Sequence, residues 1–155
     1  MNQRAFGERV TVMQGSLYRV AASYLRGESD RLDAVAEAIA KAWEKRQTLR
    51  DEALFATWMT RILIRVCVDM QRRQKRLIPT DDVAEKPAED EKIATLREAI
   101  DSLPQKARTM IVLHYMEGYG VREIAKMMGM TKGAVCAGLS RARDKLRAYL
   151  EEDER

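Results

Sequence analysis

The sequence predicts an all-α fold made of two small helical domains joined by a flexible acidic linker. Three observations carry that expectation. Aromatic residues make up only 6% of the chain while Ala, Leu, Met, Arg, Lys and Glu abound, a balance that favours helix over sheet. Apolar residues recur every three or four positions along most of the length, with no strand-like alternation to compete. The stretch from Leu77 to Glu91 breaks this pattern: it holds two of the three prolines and has no sustained apolar face. The expected domains are therefore 1–76 and 93–155, with 77–92 as the linker, each domain near the lower size limit for independent folding.

The elements follow in order. Val10, Met13, Leu17, Val20, Ala21 and Tyr24 mark an amphipathic helix that stops near Gly27. Leu32, Val35, Ile39, Ala42 and Trp43 mark the apolar face of a second, with Asp30 as its expected amino-terminal cap. After a break at Gln47–Asp51, a third helix is expected from about Glu52 to Lys75. Beyond the linker, Ile93 to Ile100 is a short helix. Ser102-Leu103-Pro104 opens the next, with proline in the first turn where its missing N–H costs nothing, and Gly118 ends it. Two further helices, Val121 to Met128 and Lys132 to Leu150, are separated by Gly129-Met130-Thr131.

Composition narrows the function classes. At 46% hydrophobic and 34% charged, the chain is too apolar for disorder and too charged for a membrane protein. No run approaches the roughly 18–20 apolar residues of a membrane span, and Met1 to Val12 lacks the apolar core of a signal peptide. A cytoplasmic protein is expected. Two Cys and one His cannot supply a four-ligand Cys/His zinc site or a disulfide framework. No phosphate-binding glycine loop, paired catalytic carboxylates or nucleophile motif occurs, so no catalytic residue, metal or cofactor is expected and enzyme activity is not. His114, inside the apolar run Met110 to Tyr115, reads as structural.

The net charge of +4 is unevenly spread. Residues 1–76 carry +6, residues 77–92 carry −4, residues 93–150 carry +5 and the tail carries −3. Two basic blocks flank an acidic strip, as suits a polyanion binder, although solvated charge gives the same sum. On a helical wheel, Arg61, Arg65, Asp69, Arg72, Arg73 and Arg76 share about a third of the circumference, opposite Leu63, Val66, Cys67 and Met70. Arginine suits phosphate because its planar fork donates two parallel hydrogen bonds. The bland alternative is a solvated face with pairs such as Arg65–Asp69 and Asp69–Arg73, but one Asp cannot balance five Arg.

In the carboxy-terminal block, Ala125, Gly129 and Val135 have the spacing of a helix-turn-helix, with Ile124 and Leu139 inward and Thr131 as a cap. Gly133, Cys136, Ala137, Ser140, Arg141, Asp144 and Arg147 face outward on the last helix, whose amino-terminal end could enter a DNA major groove. The alternative is a helical hairpin used only for packing.

These residues resemble the two domains of an extracytoplasmic-function sigma factor of bacterial RNA polymerase. Asp33 to Trp43 is similar to that family's core-binding helix. Phe55 to Ile62, with Asp69 and Arg72-Arg73, resembles its promoter-melting segment. Leu103-Pro104, Arg108, Glu117-Gly118, Glu123-Ile124-Ala125, Gly129, Val135 and Leu139 to Leu146 resemble its −35-reading domain. The resemblance implies core RNA polymerase, promoter DNA and an anti-sigma factor as partners, and no cofactor. It implies that Asp33, Glu37 and Lys41 dock the polymerase, and that Gln47, Thr48, Leu49 and Arg50 form a loop that captures a flipped −10 base. Arg61, Arg65, Arg72, Arg73 and Arg76 would hold the opened strand by its phosphates. Arg122, Lys132, Gly133, Cys136, Ala137, Ser140, Arg141 and Arg143 would meet the double-stranded −35 element. Trp58, between Phe55 and Ile62 at helical spacing, reads as core rather than as a base-stacking residue. The family pattern is departed from at Ala36, Arg65, Cys136 and Gly138; small residues on the last helix imply sparse base contacts and a larger share of shape readout. Two rivals stay open from sequence: a helix-turn-helix regulator acting without polymerase, and a helical adaptor for a protein partner.

Overall fold

Asn2 accepts a hydrogen bond from the Ala5 N–H at 2.8 Å and starts the first helix, α1 (Gln3–Ala22), a full two turns before the apolar pattern at Val10. The computed structural model describes residues 1–77 and 91–153, without the side chains of 77, 91–94 and 153. Most of the linker expected at 77–92 lies outside the described residues. Helix α2 (Glu28–Glu44) and helix α3 (Phe55–Leu77) complete the first domain, with short 3-10 turns at Arg46–Thr48 and Glu52–Leu54 between them. Helices α4 (Glu91–Asp101), α5 (Gln105–Ile111), α6 (Val121–Met128) and α7 (Lys132–Asp153) form the second, and a π-helical turn at Val112–Met116 extends α5. The described residues contain helices and no strand, as composition requires.

Several local expectations are corrected. Gly27, not Asp30, occupies the cap of α2; Asp30 lies inside the first turn, where its carboxylate favours the helix dipole and accepts from Gln74 at 2.9 Å. The buried ridge of α2 is Ala34, Ala38 and Ala42, while Leu32 is 53% exposed. Small side chains let α2 approach α1 and α3 closely, so Val35, Ile39 and Trp43 pack only at its flanks. Pro104 is the cap residue of α5 rather than part of its first turn. Both turn glycines adopt the left-handed conformation expected at helix ends, Gly118 at φ 76° and Gly129 at φ 64°.

Gly138 has a different reason. It is buried where α7 crosses α5, and a β-carbon there would lie 2.6 Å from Cε and 2.9 Å from Sδ of Met110. The small-residue surface expected of this helix therefore does not include Gly138, which instead allows close helix packing.

The two domains lean on one another. α3 packs against α6, and α1 against the π turn, so a single apolar core runs from Phe6 through Leu17, Met59 and Leu63 to Leu113, Ile124 and Val135. Polar groups punctuate the junction. Arg19 pairs with Glu117 at 2.5 and 3.2 Å, and the hydroxyls of Ser23 and Thr109, both buried, lie 3.1 Å apart. Thr60 and Tyr119 join hydroxyls at 3.3 Å. The side-chain amides of Gln71 and Gln105 exchange hydrogen bonds, and Gln71 also donates to the Tyr24 carbonyl at 2.5 Å.

Candidate nucleic-acid interface

The wheel of α3 is realised except at Met70. Leu63, Ile64, Val66 and Cys67 are buried, while Arg61, Arg65, Arg72, Arg73 and Arg76 are all exposed. Met70 is only half-buried, at the edge of the packed face. The carboxylates near this ridge hold it loosely: Asp69 stands 3.8 Å from Arg65, and Glu37 of α2 stands 4.0 Å from Arg73. The expected Asp69–Arg73 pair is replaced by that second contact. Exposed pairs of this length contribute at most about 1 kcal/mol, so the guanidinium groups can exchange them for phosphate.

Asp33, Glu37 and Lys41 lie one turn apart along α2, with Glu37 also 3.3 Å from Lys41. Glu37 thus links the surface expected to dock a protein with the arginine ridge expected to hold a strand. The loop between α2 and α3 is adjacent. Gln47, Thr48 and Arg50 are exposed, whereas Leu49 packs partly against the core. Two contacts that the sequence did not suggest shape this loop. The Arg46 guanidinium lies 3.9 Å above the Trp43 ring and donates to the Trp43 carbonyl at 2.8 Å. The indole N–H of Trp58 donates to the Thr48 hydroxyl at 3.2 Å. Trp58 is neither wholly core nor a free stacking surface: its ring leans on buried Phe55 at 5.7 Å while its polar edge reaches the loop.

The second domain presents a separate surface. Thr131 accepts from the Ala134 N–H at 3.1 Å and caps α7, as spacing predicts. Val135, Leu139 and Ala142 are buried; Lys132, Gly133, Cys136, Ala137, Ser140 and Arg141 are exposed, and Arg122 is exposed at the start of α6. Arg143 is also exposed but donates to the Tyr115 hydroxyl at 3.0 Å. Tyr115 and its neighbour Met116 are exposed because the π turn rotates them outward. His114 is structural, its Nδ1 lying 2.9 Å from the Tyr119 carbonyl.

Charge and burial act on the remaining groups. Burial pushes the Cys67 thiol up to about 12, and the Tyr24 phenol likewise to about 12 against the opposing pull of its Thr109 hydrogen bond. Burial lowers the Arg108 guanidinium, whose Nε has no hydrogen-bond partner among the described residues. Among the described residues no group of His, Cys, Asp and Glu is placed to hold a metal ion, and no helix is long and apolar enough to cross a membrane.

Two family matches divide the chain as the charge does. Residues 10–77 match Sigma-70 region 2, and residues 93–146 match Sigma-70, region 4. The RNA polymerase sigma factor SigV of Bacillus subtilis (strain 168) is 33% identical over 150 residues, covering 94% of this chain and 90% of that protein. The ECF RNA polymerase sigma factor SigM of Mycobacterium tuberculosis (strain H37Rv) is 31% identical over 139 residues, covering 86% of this chain and 71% of that protein. The chain belongs to the extracytoplasmic-function sigma factors.

Solved structures agree on the fold. The sigma factor RpoE of Bartonella quintana, in complex with the anti-sigma factor NepR, matches with a TM-score of 0.85 at 22% identity, covering 96% of this chain and 98% of that one. CnrH, in complex with the cytosolic domain of CnrY, matches with a TM-score of 0.76 at 29% identity, covering 98% and 91%. This sigma factor therefore serves promoter recognition by RNA polymerase and is an initiation factor, not an enzyme. Membership also removes both rivals, because neither a free-standing regulator nor an adaptor requires a region 2 match over the arginine-bearing domain.

Proposed function

We propose that this sigma factor docks core RNA polymerase through Asp33, Glu37 and Lys41 and opens the −10 element on the arginine ridge of α3. The supporting observation is the division of α3, buried along one side and lined by Arg61, Arg65, Arg72, Arg73 and Arg76 along the other. Binding energy for the separated strand offsets the cost of unpairing, so strand opening asks no nucleotide hydrolysis of this chain. The loop of Gln47, Thr48, Leu49 and Arg50 takes one flipped base, for which unstacking costs a few kcal/mol. Helix α7 enters the −35 major groove by its amino-terminal turns. Lys132 and Arg141 meet phosphates, and Gly133, Cys136, Ala137 and Ser140 lie against the bases; Arg122 approaches from α6, and Arg143 follows once freed from Tyr115. The site of action is the cytoplasm, and an anti-sigma factor is the expected inhibitor, by analogy with the complex of RpoE and NepR.

This reading requires the domains to part. A compact chain of 155 residues has a radius of gyration of about 15 Å and is roughly 40 Å across. The −35 and −10 elements lie roughly 25 base pairs apart, about 85 Å along the duplex. The closed chain cannot touch both, so the polar junction around Arg19–Glu117 and Gln71–Gln105 opens when polymerase engages.

Run-off transcription with purified core polymerase tests the proposal. Promoter-specific transcripts that appear only with this chain, together with DNA affinity that falls steeply between low and moderate salt, are expected. A chain that neither binds core nor supports specific initiation would refute it.

A further inference from the structure

We propose that Trp58 is a positioning residue that fixes the base-capturing loop through Thr48, an inference that rests on the reading of residues 47–50 given above. Thr48 ends the 3-10 turn Arg46–Thr48 and is exposed, so its packing adds little. Its hydroxyl works in both directions: it donates to the Lys45 carbonyl at 2.7 Å and accepts from the Trp58 indole at 3.2 Å. The Thr48 N–H returns to the same Lys45 carbonyl at 2.8 Å. A relay therefore runs from helix α3 through the loop to the end of α2.

The anchor is rigid where it begins. Phe55 is buried and touches Phe6 at 5.9 Å, Phe6 touches Trp43 at 5.2 Å, and Trp58 leans on Phe55. Phenylalanine at position 58 would keep a ring against Phe55, though a smaller one. Tryptophan adds one N–H donor, and that donor is spent on the loop.

Both ends of the segment are pinned. Arg46 is clamped on Trp43 before it, and Asp51 accepts from the Ala53 N–H at 3.0 Å after it. Between these points, among the described residues, the side chains of Gln47 and Arg50 are exposed and make no hydrogen bond, free to meet a base. A loop held in one conformation pays little entropy on binding and rejects bases that do not fit it; a loose loop adapts to any of them.

The test uses the full chain with core polymerase and a library of forked promoter DNA randomised along the separated −10 strand. Bound molecules are sequenced to give base preference by position. Trp58→Phe and Thr48→Val are each expected to reduce the preference at the captured position by about fivefold, the weight of one well-placed hydrogen bond. Combined, they should do no more than either alone, because both cut the same relay. Thr48→Ser restores the relay and should recover the preference lost in Thr48→Val. Core affinity should stay as in the parent for each variant, and melting temperature should stay as in the parent for Thr48→Val. Undiminished preference in Trp58→Phe and Thr48→Val, alongside loss in Gln47→Ala or Arg50→Ala, overturns the positioning role and leaves the loop reading intact. Undiminished preference in all four overturns the loop reading and this inference with it. Thr48→Val is a surface substitution, so the test stands even if Trp58→Phe folds poorly.

Discussion

Gln71 of α3 and Gln105 of α5 face each other across the domain junction and exchange side-chain hydrogen bonds of 2.9 and 2.8 Å. Each amide satisfies the other, and Gln71 also closes on the Tyr24 carbonyl. Pairing of this kind is directional. It specifies one relative placement of the domains in a way that their shared apolar core cannot do alone.

Gln105→Ala should therefore loosen the closed form. Losing one such exchange costs about 1 kcal/mol, which raises the open population about fivefold. Energy transfer between labels on the two domains measures it. An unchanged distance distribution would mean that the amide pair is incidental.

The Arg19–Glu117 pair should make the junction sensitive to acid. Burial alone raises the Glu117 pKa, but hydrogen bonds from Arg19 and Ser16 and the Arg19 charge outweigh it and hold the carboxyl below its usual range. A depressed carboxylate contributes stability that is fully present above its ordinary pKa of about 4.3 and lost as pH falls through the lowered value. The closed form should be indifferent to pH from 8 to 5 and weaken only in stronger acid. Glu117→Gln should open the junction already at neutral pH and flatten the acid response. Opening of the parent protein between pH 7 and 5 would contradict this.

Gly138 tests the packing of α7. Gly138→Leu forces its side chain into Met110 and should cost about 1–3 kcal/mol by overpacking, read as a lower melting temperature. Gly138→Ala should stay within about 1 kcal/mol of the parent, since helix propensity gains what the yielding methionine tip loses. Neither should alter −35 base preference, because the position faces inward.

The two thiols should behave oppositely. Cys67 is buried with its pKa near 12, whereas Cys136 is exposed on α7. At pH 8 an alkylating reagent should label Cys136 in the folded protein and spare Cys67, and −35 duplex should protect Cys136. Labelling at the same rate with and without duplex would remove this turn of α7 from the DNA interface.

Much of this was legible in the residues. The wheel of α3 found the arginine ridge because a long helix with one buried side leaves a period that survives any tertiary detail. The spacing of Ala125, Gly129, Thr131 and Val135 likewise placed α6, its turn and the start of α7, although that helix runs on past Leu150 to Asp153. What escaped depends on where helices cross. Ala34, Ala38 and Ala42 look unremarkable beside Leu32 and Trp43, yet close approach favours the small residues and leaves Leu32 outside. Gly138 read as surface for the same reason. The Trp58–Thr48 and Gln71–Gln105 contacts join residues ten and thirty-four positions apart, and periodicity carries no trace of such pairs.

The exposed arginines of α3 should hold the opened −10 strand. Permanganate reactivity of −10 thymines measures it, with core polymerase, promoter DNA and either the parent chain or Arg72→Ala with Arg73→Ala. Reactive thymines are expected with the parent chain. With the double variant they should be unreactive, while core binding and −35 affinity persist. Equal reactivity with both chains would contradict it.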